Sequence, residues 1–210
     1  MTKTRHSFTL IEMLAVIAII GILAGLILPM VGRSREKARE TQAAAGANSI
    51  AIALRNFKMS YQKFPNIAVT DPVGGGKNDG ASSYDSLEDY DKIIFALSGV
   101  LPGGDADSAK TKFAELNRKK TSFLELPAEY LKDKGFFANP WGRRYYIVYS
   151  NTGKNLMEFK RPKNGTLNDS LSKLKVGADV AVFSEMNPNT KDFQEGSRLA
   201  TSWGGIINVK

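Results

Sequence analysis

The sequence predicts an α+β protein. One long N-terminal helix, transmembrane and then amphipathic, packs on a small globular head with an antiparallel sheet. Three observations predict it. Residues 13–31 carry no charge at all. Ala43, Ala47, Ile50, Leu54, Phe57 and Tyr61 then recur at spacings of four and three, one helical face. From Arg144 onward the pattern changes to short β-rich runs bounded by turn residues. Helices first and strands later fit a head of the α+β class.

Composition narrows the function classes. The chain has 210 residues, no cysteine and one histidine, His6. No disulfide framework and no thiolate metal site are available. A His-based metal site or a Ser-His-Asp triad is nearly excluded for the folded body. No constellation of carboxylate, Lys, Tyr or Ser side chains stands out either, so the chain reads as no enzyme. The net charge of +8 is dispersed. The tightest cluster in the body, Arg118, Lys119 and Lys120, reads as a solvated face. Nucleic acid is therefore not an expected partner.

The N-terminus carries the strongest signal. Residues 1–7 are short and polar, with Lys3, Arg5 and His6. At about 1.5 Å per residue, the uncharged run comes close to the ~30 Å hydrocarbon core, and counting from Phe8 makes the span comfortable. The run is too long for a secretory h-region, so a membrane anchor fits better. Glu12 stands inside the apolar span. An acid there is costly unless paired, and usually has a partner and a function.

Ser7-Phe8-Thr9-Leu10-Ile11-Glu12, followed by an apolar helix, resembles the class III signal of type IV prepilins and type II secretion pseudopilins. The resemblance implies that residues 1–7 are a leader removed by prepilin peptidase between Ser7 and Phe8. Phe8 would then become N-methylphenylalanine. Glu12 would pair with the N-terminal amine of a neighbouring subunit. That family usually has Gly before the cut, where this chain has Ser7, also a small residue. Pro29 stands where pilins often carry a proline, and its ring clashes with the carbonyl four residues back, at Gly25. Gly21 and Gly25 form a Gly-x-x-x-Gly, which permits close helix approach. By resemblance, residues 21–29 can lose helical structure inside a filament. The implied localisation is a bacterial inner membrane, single-pass, with the leader cytoplasmic and the head periplasmic. Partners would be copies of itself, other pilin-like subunits and an inner-membrane assembly platform. An alternative is a minor pilin that binds DNA, a surface or a secreted cargo. One signal opposes this orientation: Arg33, Arg35, Lys37 and Arg39 follow the span while only Lys3 and Arg5 precede it, which by the positive-inside rule favours a cytoplasmic C-terminus.

The division expected is a leader over 1–7, the pilin helix over 8–65 with its transmembrane part at about 8–31, and the head over 66–210. The helix should stop before Phe64-Pro65. Residues 71–83, rich in glycine, read as a surface loop. Ser86 and Asp89 resemble a capping box before the stripe Tyr90, Ile93, Ile94 and Leu97, with Gly99 ending that helix. A further helix is expected over about 107–119. Asp89, Asp91, Asp105 and Asp107 read as cap and surface acids. Residues 145–149 read as a sheet-core strand, 151–154 as a turn and 156–159 as its hairpin partner. Further strands are expected at 178–183 and 206–209.

Two head features are similar to major pseudopilins of type II secretion. Asn139-Pro140-Trp141-Gly142-Arg143-Arg144-Tyr145 resembles their Asp-Pro-Trp-Gly-x-x-Tyr segment, with Asn139 for the aspartate, and reads as a tight turn with Trp141 packed under the sheet. Ser202-Trp203-Gly204 resembles their C-terminal Ser-Trp. Such proteins often bind calcium through late-loop oxygens. The resemblance makes Asp179, Asn187, Asn189 and Asp192 weak calcium candidates, with Glu185 and Glu195 nearby; a solvated polar loop is the plainer expectation, with no cofactor.

Overall fold

The computed structural model describes residues 9–67, 89–100, 115–126, 137–149, 157–159, 162–163, 166–167, 174–186 and 198–208. Helix α1 runs Leu10–Tyr61, and within it the chain divides into two compact units, Met1–Arg39 and Glu40–Lys210.

In the first unit, α1 begins at a capping box. The backbone N–H and the hydroxyl of Thr9 both donate to Glu12 Oε2, at 2.8 and 2.9 Å. Glu12 N in turn donates to Thr9 Oγ1 at 3.3 Å. Two otherwise unmatched donors of the first turn are thereby satisfied. The helix then continues through Pro29. Its large apolar side chains, from Leu10 and Ile11 to Met30 and Val31, are exposed on every side. The helix is long and apolar enough to cross a membrane, and none of its most apolar stretch is buried.

The second unit has an ordinary core. Ala47, Ile50, Ala51, Leu54 and Phe57 of α1 are buried against α2, Asp89–Ser98, and against one face of a sheet. Tyr61 is part-buried, and Gln62, at φ 59°, ends the helix before the buried Phe64 and Pro65, as expected. In α2 the expected stripe Tyr90, Ile93, Ile94 and Leu97 is buried, and Gly99, at φ 75°, donates to Phe95 O at 2.8 Å to close it. Ser86 lies outside the described residues.

The main sheet has four antiparallel strands in the order β1-β6-β7-β8: Tyr146–Tyr149, Val180–Glu185, Arg198–Thr201 and Gly205–Asn208. Residues along a strand alternate faces. Tyr145, Ile147, Tyr149, Val180 and Val182 face the helices. Tyr146, Val148, Ala181, Phe183 and Leu199 form a second cluster, with Val176 and the half-buried Trp203. Both faces of β1 are thus buried, so its rings build the core and offer no platform for stacking bases.

Two small sheets accompany it, β2 (Met157–Phe159) with β5 (Leu174–Val176) and β3 (Pro162–Lys163) with β4 (Thr166–Leu167). This corrects the expected hairpin. β1 pairs with β6, in register Tyr146↔Phe183 to Tyr149↔Val180, and β2 pairs with β5. A strand buried on both faces needs a partner apolar on both faces. Val180, Ala181, Val182 and Phe183 meet that need; a partner over 156–159 would bring in Glu158. The later strands sit close to the expected places, but β6 starts at Val180, after the bend at 177–179. β7 was not expected, since Arg198 and Thr201 dilute its apolar signal.

The helix expected over about 107–119 ends by Leu116 within the described residues. Asn117 is buried, and its side chain competes with helical bonding. Its Nδ2 donates to Ala96 O and Thr121 O at 3.0 and 2.6 Å, its Oδ1 accepts from Thr121 N at 3.3 Å, and Lys120 adopts φ 51°. Residues 101–114, the 71–83 loop and the 151–154 turn lie outside the described residues.

Candidate assembly and membrane surface

The candidate surface is the first part of α1. Glu12 is the one charged side chain on residues 10–31, and it is exposed at the N-terminal end of an otherwise apolar cylinder. Its carboxylate serves the cap with Thr9 through Oε2. An acid at this place can cap its own helix and present its charge to a cation from outside. Gly21 and Gly25 lie one turn apart, and a Cβ built on either meets no atom within 4 Å. Both are open to a close neighbour. Ser7 and Phe8 lie outside the described residues, and of Pro29 only its place in the helix is described.

Gly46 makes a contrast. A Cβ there would collide with the phenol of the buried Tyr145, whose Cζ lies 2.8 Å away. Gly46, within the run Ala43-Ala44-Ala45-Gly46-Ala47, is therefore a notch where α1 meets the segment leading into β1. No sequence pattern showed which of those small residues faced a ring.

Two ion pairs were also missed. Arg144 Nη2 lies 2.9 Å from Asp91 Oδ2, with side chains 0% and 1% exposed. Asp91 is thus a core residue, correcting its reading as a surface acid. Residue 91 belongs to the buried face of α2, and its charge is matched by an arginine 53 positions away. Glu40, buried, takes both terminal nitrogens of Arg198 on β7, Nη2 to Oε2 at 3.0 Å. A planar fork on a carboxylate is the strong form of such a pair. Separations of this size leave no local trace in a sequence.

The turn at 139–143 forms as expected. Asn139 is fully buried; its Oδ1 accepts from Trp141 N at 3.0 Å and Arg143 N at 2.8 Å, and its Nδ2 donates to Ser184 Oγ on β6. Gly142 takes φ 79°. Trp141 packs on a cluster of Ala43, Met186 and Ala200. Ser202 extends the β6–β7 ladder, its backbone N donating to Val182 O at 2.9 Å and its Oγ accepting from Val182 N at 3.0 Å.

Of the calcium candidates, Asp179 is described, and Asn187, Asn189 and Asp192 lie outside the described residues. Asp179 is a poor fit to a calcium ligand in this arrangement. Its Oδ1 lies 3.3 Å from Arg55 Nε and its Oδ2 3.1 Å from Lys58 Nζ. Partial burial pushes its carboxyl up, but the hydrogen bonds and charges of Lys58 and Arg55 outweigh that and hold it below its ordinary value. Burial pushes the Tyr90 and Tyr149 hydroxyls up, so both stay donors, Tyr90 to Phe137 O at 2.7 Å and Tyr149 to Ile67 O at 3.0 Å. Among the described residues no group of three or more His, Asp or Glu side chains could hold a metal ion.

Residues 2–28, which include the start of this capped apolar helix, match the prokaryotic N-terminal methylation motif. The chain is further similar to type II secretion system core protein G. It is 38% identical to that of Aeromonas hydrophila over 66 residues, 31% of this chain and 46% of the relative. It is 36% identical to that of Pseudomonas aeruginosa over 64 residues, 30% of this chain and 45% of the relative. For the Escherichia coli protein the figures are 34% over 64 residues, 30% and 44%. The match thus spans less than half the length of these relatives. No solved structure matches the chain.

Proposed function

We propose that this chain is a structural subunit of a type IV pilus-like filament, of the type II secretion pseudopilin kind, and no enzyme. The observation that carries the reading is Glu12, exposed and closing the cap at the head of an all-round apolar helix. An apolar surface on every side must be covered by lipid or by other helices. In the bilayer the helix is a single-pass inner-membrane anchor with the head periplasmic. In the filament it packs against copies of itself and other pilin-like subunits, with Gly21 and Gly25 allowing close approach. Prepilin peptidase cuts between Ser7 and Phe8 and Phe8 is methylated. Glu12 then pairs with the new amine of a neighbour, and such a pair in low dielectric forms only when subunits dock in register. The motif match over residues 2–28 supports the processing step.

Intact mass and N-terminal sequencing of the protein recovered from native membranes test this. A chain beginning at Phe8 and heavier by one methyl group is expected. A chain still carrying its leader, in cells with active prepilin peptidase, overturns the filament reading and leaves a permanently anchored domain.

A further inference from the structure

Just beyond Val31 the helix carries Arg33, Arg35, Lys37 and Arg39, all exposed. At 3.6 residues per turn, Arg33 and Lys37 share one stripe, and Arg35 and Arg39 share another on nearly the opposite side. The acids Glu36 and Glu40 fall on a third stripe. Glu40 is buried and committed to Arg198. Glu36 lies 3.9 Å from Arg39, both side chains about half exposed. Four cations and two acids, Glu36 and Glu40, therefore share residues 33–40, with the cations on opposite sides of the helix.

We propose that this ring seats anionic phospholipid headgroups where α1 leaves the bilayer. The inference rests on the reading of α1 as a membrane span. Residues 10–31 cover about 33 Å at ~1.5 Å per residue, enough to cross the ~30 Å core. The headgroup layer adds roughly 5–8 Å on each side, which takes in Arg33 and Arg35; Lys37 and Arg39, about 9 and 12 Å past Val31, reach back to it along their long side chains. The azimuth of the charges favours lipid over other anions. Lipid surrounds a crossing helix, so cations on opposite stripes can all reach phosphates. A nucleic acid or an acidic protein approaches from one side and leaves half the ring unused. Three of the four are arginines, whose planar fork suits a phosphate. The ring also accounts for a cation-rich flank on the side the positive-inside rule disfavours: there the charges have lipid partners. In the filament reading, extraction of a subunit has to break these contacts.

The test uses the full chain reconstituted in phosphatidylcholine vesicles with trace spin-labelled phosphatidylglycerol or phosphatidylcholine. The label's immobilised fraction reports lipid at the protein surface. A several-fold preference for phosphatidylglycerol is expected, weakened by high salt. It should vanish in the quadruple variant Arg33→Gln, Arg35→Gln, Lys37→Gln, Arg39→Gln and persist in Lys3→Gln, Arg5→Gln. No preference in the parent chain, or one that survives the quadruple change, overturns the proposal. Alkaline carbonate extraction separates the two readings. A chain washed out of neutral vesicles fails as a membrane span; a chain that stays without lipid preference fails only as a headgroup seat. Salt-sensitive capture of a labelled DNA duplex through the same four residues, with no lipid preference, would make the ring a nucleic-acid contact and also sink the proposal.

Discussion

Two stretches of α1 share one secondary structure and differ in what covers them. Over residues 10–31 apolar side chains occupy all sides and are exposed. Over residues 43–61 one stripe of them, Ala43, Ala47, Ile50, Leu54 and Phe57, is buried by the chain's own head, while Ile52 and Met59 stay exposed. Glycines follow the same division: Gly21 and Gly25 face open space, while Gly46 faces Tyr145. Charge follows it too. Among the described residues Glu12 has a local cap, whereas Glu40 is matched by a distant residue. The helix tells its two environments apart by periodicity, not by hydrophobicity: an all-round apolar surface needs an external partner, and a one-sided stripe supplies an internal one.

The largest effect should come from the exposed stretch. Glu12→Ala should abolish or strongly impair filament assembly, while membrane insertion and the melting of the head stay unchanged. Filament yield by shearing, compared with carbonate-resistant membrane content, checks this. Normal yield from Glu12→Ala would mean that the carboxylate serves the cap alone.

Next come changes in the buried stretch and its surroundings, where melting should respond. Arg144→Met leaves the Asp91 carboxylate buried without its cation, a loss of about 3–5 kcal/mol. Denaturant unfolding of the full chain in neutral detergent measures it. Changing both partners to apolar residues of similar volume should recover much of the loss; failure to recover would show that the pair fixes the fold as well as neutralising charge. Gly46→Ala drives a methyl into the Tyr145 phenol and should cost about 1–3 kcal/mol. Gly25→Ala meets nothing and should stabilise the isolated helix, by up to about 1 kcal/mol. Opposite signs for the same substitution are the sharpest test of the comparison. Equal effects would mean that Tyr145 swings aside.

Legibility in the sequence follows the same line. The long apolar helix, the amphipathic stripe, the Pro65 stop, α2 and the Asn139 turn were readable, because each rests on local periodicity or on a residue whose own backbone chemistry decides. Pairing was not. The turn residues after β1 suggested a hairpin, but the strand buries both faces and takes β6. Asp91 read as a surface acid because its partner is 53 positions away. The notch at Gly46 depends on where Tyr145 lands, which only the assembled sheet decides. At the candidate site, Glu12 and the two glycines were legible as exceptions within an apolar run. The use of Thr9 as the cap partner was not singled out, although Thr9-x-x-Glu12 carries that signature.

The smallest expected effect concerns Asp179, which joins α1 to the bend before β6. Its carboxyl is held below its ordinary value by Lys58 and Arg55 against the opposing pull of partial burial. A depressed native value means that the unfolded chain binds the proton more readily. The stabilisation is therefore complete above the unfolded value, near 3.8, and is lost as pH falls through the lower native one. The side chain is 22% exposed and its partners more so, so the contribution should be about 1 kcal/mol or less. Unfolding of the full chain in detergent, followed downward from about pH 5, should show a shallow decline that flattens in Asp179→Asn. Because both oxygens already face cations, EDTA should leave the melting temperature unchanged at neutral pH. A calcium-dependent rise that Asp179→Asn removes would show instead that the ion displaces Lys58 and Arg55, and this part of the head would then be a metal site.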